Sequence, residues 1–193
     1  MNRTRVIRTV SFVFLLLFLI FEIDEALLRA QSPSNNKTIP FPEGETLVYE
    51  VRLSRFPIYA TMGMVTFEFP GASKERAIQG AGIEYIPAEG DELITLRAEA
   101  VSKGFLASLF GIDVRDRFET LVNRNEFSAR LSFKEEHEGK KHVARTTLFN
   151  SPDNTVKYHA VDFAKPTAPP RLKELPLKPG MQSLLSAIYF VRL

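Results

Sequence analysis

The chain has 193 residues, with 25 Lys plus Arg against 23 Asp plus Glu and no cysteine. That length suits one domain, and 45% hydrophobic with 25% charged residues is a globular rather than a disordered composition. A net charge of +2 supplies no field for nucleic acid, and the lack of cysteine excludes disulfides, thiolate metal sites, thiol catalysis and a lipidated N-terminal cysteine.

The N-terminus carries Arg3, Arg5 and Arg8 and no acid, followed by the apolar run Val10 to Phe21 and then Glu22, Asp24 and Glu25. A spanning helix needs ~20 apolar residues, so this shorter run reads as a signal-peptide core, and the charge order sends the remainder across the membrane. Residues 1–30 are thus a signal peptide cleaved after Ala30 or, uncleaved, an N-terminal membrane anchor. The Pro-bearing stretch 31–42, QSPSNNKTIPFP, is a polar tether to a β-rich domain over 43–193.

From there the hydrophobic period is two. Leu47, Tyr49, Val51 and Leu53 alternate in TLVYEVRL. In FPIYATMGMVTFEF the parity flips from Ile58, Ala60 and Met62 to Val65, Phe67 and Phe69, so Gly63 is expected in a bulge with positive φ. Further strands are expected on Ile94, Leu96, Ala98 and Ala100; on Val114, Phe118 and Val122; on Phe127, Ala129, Leu131 and Phe133; over HVARTTLF; and on Val156, Tyr158 and Ala160. GFLASLFG, between Gly104 and Gly111, has helical spacing and reads as a short helix or a collapsed loop. Five prolines between Lys165 and Gly180 make 164–180 an extended connector, and 181–193 a helix with Leu184, Leu185, Ile188 and Val191 on one stripe. About seven strands at short spacing describe a mainly β fold: a curved antiparallel sheet or open half-barrel with one or two short helices.

Three stretches carry a resemblance: FPEGETLVYEVRL, SKGFLASLFGIDVRDRFET and LLSAIYFVR, the last a Leu-Ser-Ala-x-Tyr-x-x-Arg motif at Leu185 to Arg192. In this order they resemble the bacterial envelope family known as domain of unknown function 3108, over Phe41 to Leu193. The motif residues are Tyr49, Gly104, Asp116, Ser186, Tyr189 and Arg192; Ser183 stands where family members commonly carry Asp. The resemblance implies further strands after the last helix, so the chain is expected to be a fragment, incomplete at its C-terminus and with the helix stripe poorly covered. It also implies an exported periplasmic or cell-envelope protein.

Chemistry is sparse. No nucleophile elbow, phosphate loop or dinucleotide fingerprint is present, so no enzyme activity and no cofactor are expected. Glu135, Glu136, His137, Glu138 and His142 lie close together, but Lys140 and Lys141 beside them favour a solvated hairpin tip over a metal site. Asp113 and Asp116 point to opposite sides of a strand and read as an ion-paired solvent face with Arg115 and Arg117. The inward positions are almost purely carbon. They either fill a core, leaving a structural or protein-interaction module, or line an apolar pocket for a lipid or acyl chain, with Met62, Met64, Phe67, Phe69, Leu96, Phe105 and Phe110 as the candidate lining. The helix bearing Phe105 and Phe110 would then be a flap. The expected partners are a lipid or another envelope protein.

Overall fold

The structure is a computed structural model, and it describes residues 39–55, 58–72, 78–80, 83–87, 90–150 and 153–193. The expected signal peptide or anchor and most of the expected tether lie outside the described residues, as does Pro57. No helix among the described residues is long and apolar enough to cross a membrane.

Eight strands form one antiparallel sheet: β1 (Glu45–Arg55), β2 (Ile58–Ala72), β5 (Leu93–Ser102), β6 (Val114–Asn123), β7 (Ala129–Glu138), β8 (Lys141–Asn150), β9 (Thr155–Asp162) and β10 (Arg171–Pro176), in that spatial order. The sheet is a meander that does not close, with β1 and β10 at its ends. The hairpin of β3 (Ile78–Gly80) and β4 (Ile83–Tyr85) is inserted between β2 and β5 and lies against β8. Among the described residues there are two short helices: α1 (Phe105–Leu109) between β5 and β6, and α2 (Leu184–Phe190) near the C-terminus.

The mainly β architecture and the two helices are those read from the alternation. The connector is a correction. Within 164–180, Arg171–Pro176 pairs with β9 in register, Leu172 opposite His159 and Glu174 opposite Lys157. The prolines tolerate this because they sit before the strand, at its last position and beyond it, and because β10 is an exposed edge. The tether boundary also moves. Phe41 is buried and meets Phe69 and Tyr189 edge-on at ring distances of 5.6 and 5.2 Å, so it belongs to the domain core.

Both faces of the sheet bury apolar residues. On one face, Phe41, Phe69, Ile94, Leu96, Val122 and Phe127 pack with Leu185 and Tyr189 of α2. On the other, Leu93, Leu121 and Leu131 pack with Tyr85 of the β3–β4 hairpin and Leu148. The expected common face of Phe127, Ala129, Leu131 and Phe133 is therefore split. Phe127 lies in the β6–β7 turn with φ 52°, and the register shifts between Leu121 and Val122. A single extra residue in a strand reverses the sidedness of every residue after it.

The expected bulge at Gly63 exists, but for another reason than positive φ. Val51 opposes Gly63 and Arg52 opposes Thr61, so Met62 is the extra residue. Gly63 is not among the positive-φ glycines; a Cβ there would lie 2.6 Å from the carbonyl oxygen of Val101 on β5. Gly104 meets the same bulge from the other side: φ is +100° and a Cβ would lie 2.5 Å from the Thr61 carbonyl oxygen. Gly63→Ala should accordingly destabilise by ~1–3 kcal/mol, because backbone rather than a flexible side chain must yield. Denaturant unfolding checks this, and an unchanged midpoint would remove the close-approach explanation.

Candidate functional site

The helix that covers the sheet is built by its cap. Ser183 has extended backbone angles and accepts from the Ser186 amide at 3.0 Å, while the Ser186 hydroxyl accepts from the Ser183 amide at 2.9 Å. This reciprocal pair is a capping box with serine in place of the usual Glu or Gln. The Ser183 hydroxyl also lies 3.0 Å from that of Thr120, which is buried on β6. The cap thereby pins the start of α2 to the middle of the sheet. Asp, which the resemblance expects at this position, is an equally good N-cap.

Leu185, Ser186 and Tyr189 form the buried side of α2. The stripe expected to be poorly covered is so at Leu184 and Val191, which are exposed, and in part at Ile188, which is half-buried; Leu185 is the exception and is buried. The helix finds its cover on β5 and β6. Its far end is tied to β1 by Arg192, whose guanidinium donates to both carboxylate oxygens of Glu45 at 2.7 and 2.8 Å and lies over the rings of Phe41 and Tyr189. The hydrogen bond to Arg192 holds the Glu45 carboxyl below its usual range.

Beyond α2 the same face opens into a cleft of about 230 Å³ lined by Leu47, Tyr49, Phe67, Ile188, Tyr189 and Arg192. Tyr49 stands edge-on to Phe67 at 5.8 Å and is 54% exposed. Tyr189 is 1% exposed, and its hydroxyl has no hydrogen-bond partner among the described residues. Burial, with the charge of Glu45 adding to it, pushes that phenol up to about 12, so it stays a neutral donor.

The rest of the expected lining does not converge there. Phe69 and Leu96 are buried in the core that α2 covers. Met64 has the parity of Thr66 and Glu68, opposite to Phe67, and its sulfur meets Lys103 at 3.6 Å; Met62 is the bulged residue. Phe105 and Phe110 are 76% and 50% exposed, while Ala107 of α1 is buried. They face solvent rather than the cleft. Of the seven expected lining residues, Phe67 lines it. Leu47, Ile188 and the hydroxyl of Tyr189 were missed because the cleft is made by a helix remote in sequence.

Farther along the same face, towards β8, is an ionic cluster. Glu136 is buried and pairs with Lys134 and Arg145, and with Lys141 at 3.0 Å. Burial would raise its carboxyl, but the hydrogen bonds from Arg145, Lys134 and Lys141 outweigh that and hold it at about 2. Asp116 is also buried, 3.9 Å from Lys134, and burial leaves its carboxyl raised. The expected solvent face of Asp113 and Asp116 is thus corrected. Asp113 is exposed and Asp116 is not, and Arg115 and Arg117 cannot pair with Asp116 because neighbouring strand residues alternate sides.

Comparison with known proteins adds one finding. The model of the family described as Protein of unknown function (DUF3108) matches residues 66–193. The chain belongs to this family. The DUF3108 match takes in Gly104, Asp116 and the Leu185 to Arg192 motif; Tyr49 and the FPEGETLVYEVRL stretch precede it. No curated protein and no solved structure matches the chain.

The Glu136 shift has a definite sign. A carboxyl held below its unfolded value contributes stability above that unfolded value, near 4.5, and loses it as pH falls towards about 2. Glu136→Gln should lower stability at neutral pH, since Lys134 and Arg145 lose their buried partner, and should flatten the decline between about pH 5 and 2. Thermal melts across that range test it; an unchanged acid limb would show that Glu136 is not the group responsible.

Proposed function

We propose that the protein is exported to the bacterial cell envelope and there binds an apolar molecule, an acyl chain or a lipid-modified partner, in the cleft between α2 and the β1–β2 edge. The observation that carries the reading is a mainly apolar cleft whose lining includes Tyr189, a residue whose buried hydroxyl has no hydrogen-bond partner among the described residues. An unpaired buried hydroxyl costs ~1–3 kcal/mol, a cost removed by a ligand carbonyl, ester or carboxyl accepting from it. The cleft is smaller than the ~300–1,000 Å³ of pockets that enclose a whole drug-sized ligand, so it suits a segment of a chain whose remainder lies along exposed Tyr49. The sheet interior itself is filled: Ile94, Leu96 and Val122 are fully buried. That filled core, with open edges at β1 and β10, favours the second reading, an envelope protein-interaction module in which the cleft is incidental.

A fluorescent fatty-acid probe should bind the folded protein saturably, one to one. Tyr49→Asp, a change at an exposed side chain, should weaken uptake at least ~10-fold, while Phe105→Asp should leave it intact. Non-saturable uptake, or equal binding by Tyr49→Asp, would leave the interaction module standing. The export part rests on Arg3, Arg5, Arg8 and the run Val10 to Phe21. Residues 1–42 fused to a reporter active only outside the cytoplasm should give signal, and a silent reporter would refute export.

A further inference from the structure

The face of the sheet opposite α2 carries a feature that the ligand reading does not use. Glu135 and His137 are two apart on β7, so they share that face, and His142 on β8 is the direct cross-strand partner of His137. The imidazoles of His137 and His142 are stacked at 3.7 Å, and His142 Nε2 lies 2.9 Å from Glu135 Oε1. One ligand atom from each of the three residues falls within 4.8 Å of the others. All three side chains are half-buried, and Phe163 closes one side with its ring 4.5 Å from that of His142.

We propose that Glu135, His137 and His142 form a binding site for a divalent transition-metal cation of the zinc or copper type. Two imidazoles, which are borderline donors, together with one carboxylate oxygen suit these ions and leave further positions open. With ligands at ~2.0–2.2 Å, a tetrahedral set has its donor atoms about 3.3 Å apart. Side-chain rotation on a fixed strand pair closes the difference from 4.8 Å, and the hairpin register already brings the three together. The objection from sequence is the lysine pair. Lys141 is removed from the site, because its ammonium is engaged by Glu136 and Glu138 on the opposite face. The cations that do flank the site are Arg115 and Arg117 on β6, cross-strand from His137 and Glu135, and Lys140 in the turn. All three are exposed, so their charges are screened by water and their long side chains can turn outward. The second acidic group, Asp116 with Glu136 and Glu138, is a poorer site because Lys134, Lys141 and Arg145 already neutralise Glu136.

The test is calorimetric titration of the metal-free, untagged full chain with Zn²⁺, and the electron paramagnetic resonance spectrum of the same protein with Cu²⁺. One-to-one uptake is expected, with nitrogen splitting from two imidazoles on copper. His137→Ala and His142→Gln should each weaken Zn²⁺ binding at least ~10-fold. Glu135→Gln should weaken it too, and Glu138→Gln should not. Melting curves of each variant without metal separate lost ligation from lost fold, and a zinc-induced rise in the melting temperature of the native chain gives a reading that needs no variant. No one-to-one uptake, copper bound by fewer than two imidazoles, or unchanged affinity in folded His137→Ala and His142→Gln would overturn the site.

Discussion

A single open sheet with one strongly apolar face must have that face covered, and here a helix of seven residues does it. At ~1.5 Å per residue α2 is about 10 Å long, while strands lie ~4.8 Å apart. It can cover two or three strands of the eight. The positions of its ends therefore decide what the rest of the face must be. Ser183, bonded to Thr120, fixes one end over β6, and Arg192, bonded to Glu45, fixes the other at β1. Between them Leu185 and Tyr189 seal the core, each burial contributing ~1.5–3 kcal/mol. The cleft at Tyr49 and Phe67 is the part of the apolar face that so short a helix leaves open.

The same face changes character beyond the helix. Apolar side chains there would lie bare, and the chain places Lys134, Glu136, Arg145 and Lys141 instead. A buried carboxylate is tolerated only with several donors, and Glu136 has three cations around it. Asp116, with one cation 3.9 Å away, is not compensated to the same degree, and its carboxyl is raised rather than lowered. Number and distance of partners, at similar burial, decide the direction of each shift.

Much of this was legible in the sequence because period-two alternation is a local signal. The strands of Leu47, Phe67, Leu96, Phe118 and Val156 needed nothing else, and Gly104 and Gly111 bounded α1. Three things were not legible. β10 is exposed at every position, so it has no apolar alternation, and its pairing with β9 is a property of the partner strand. The split between Ala129 and Leu131 comes from the shift at Leu121 and Val122, which no local composition marks. The buried face of α2, Leu185 with Tyr189, was not legible because helical spacing accommodates both Leu184-Ile188-Val191 and Leu185-Tyr189; the cap at Ser183 and the tie at Arg192 choose between them. Of the cleft, the sequence supplied Tyr49, Phe67, Tyr189 and Arg192 as separate signals without the contact that joins them.

Strand β7 connects these observations, because its alternation serves two surfaces at once. Lys134 and Glu136 enter the ionic cluster beneath one face while Glu135 and His137 meet His142 on the other. If β8 slipped by one residue against β7, His142 would turn to the face of Lys134 and Glu136, and Lys141 and Arg145 would leave it. The turn at Gly139 sets that pairing, with Glu138 opposite Lys141 and bonded to it at 2.9 Å. The register is then enforced from both sides, since the wrong alignment loses the partners of Glu136 and the carboxylate–imidazole contact together. The polar residues of KEEHEGKKH thus specify structure as strictly as the apolar ones do elsewhere, and they do so by pairing across two faces rather than by avoiding water.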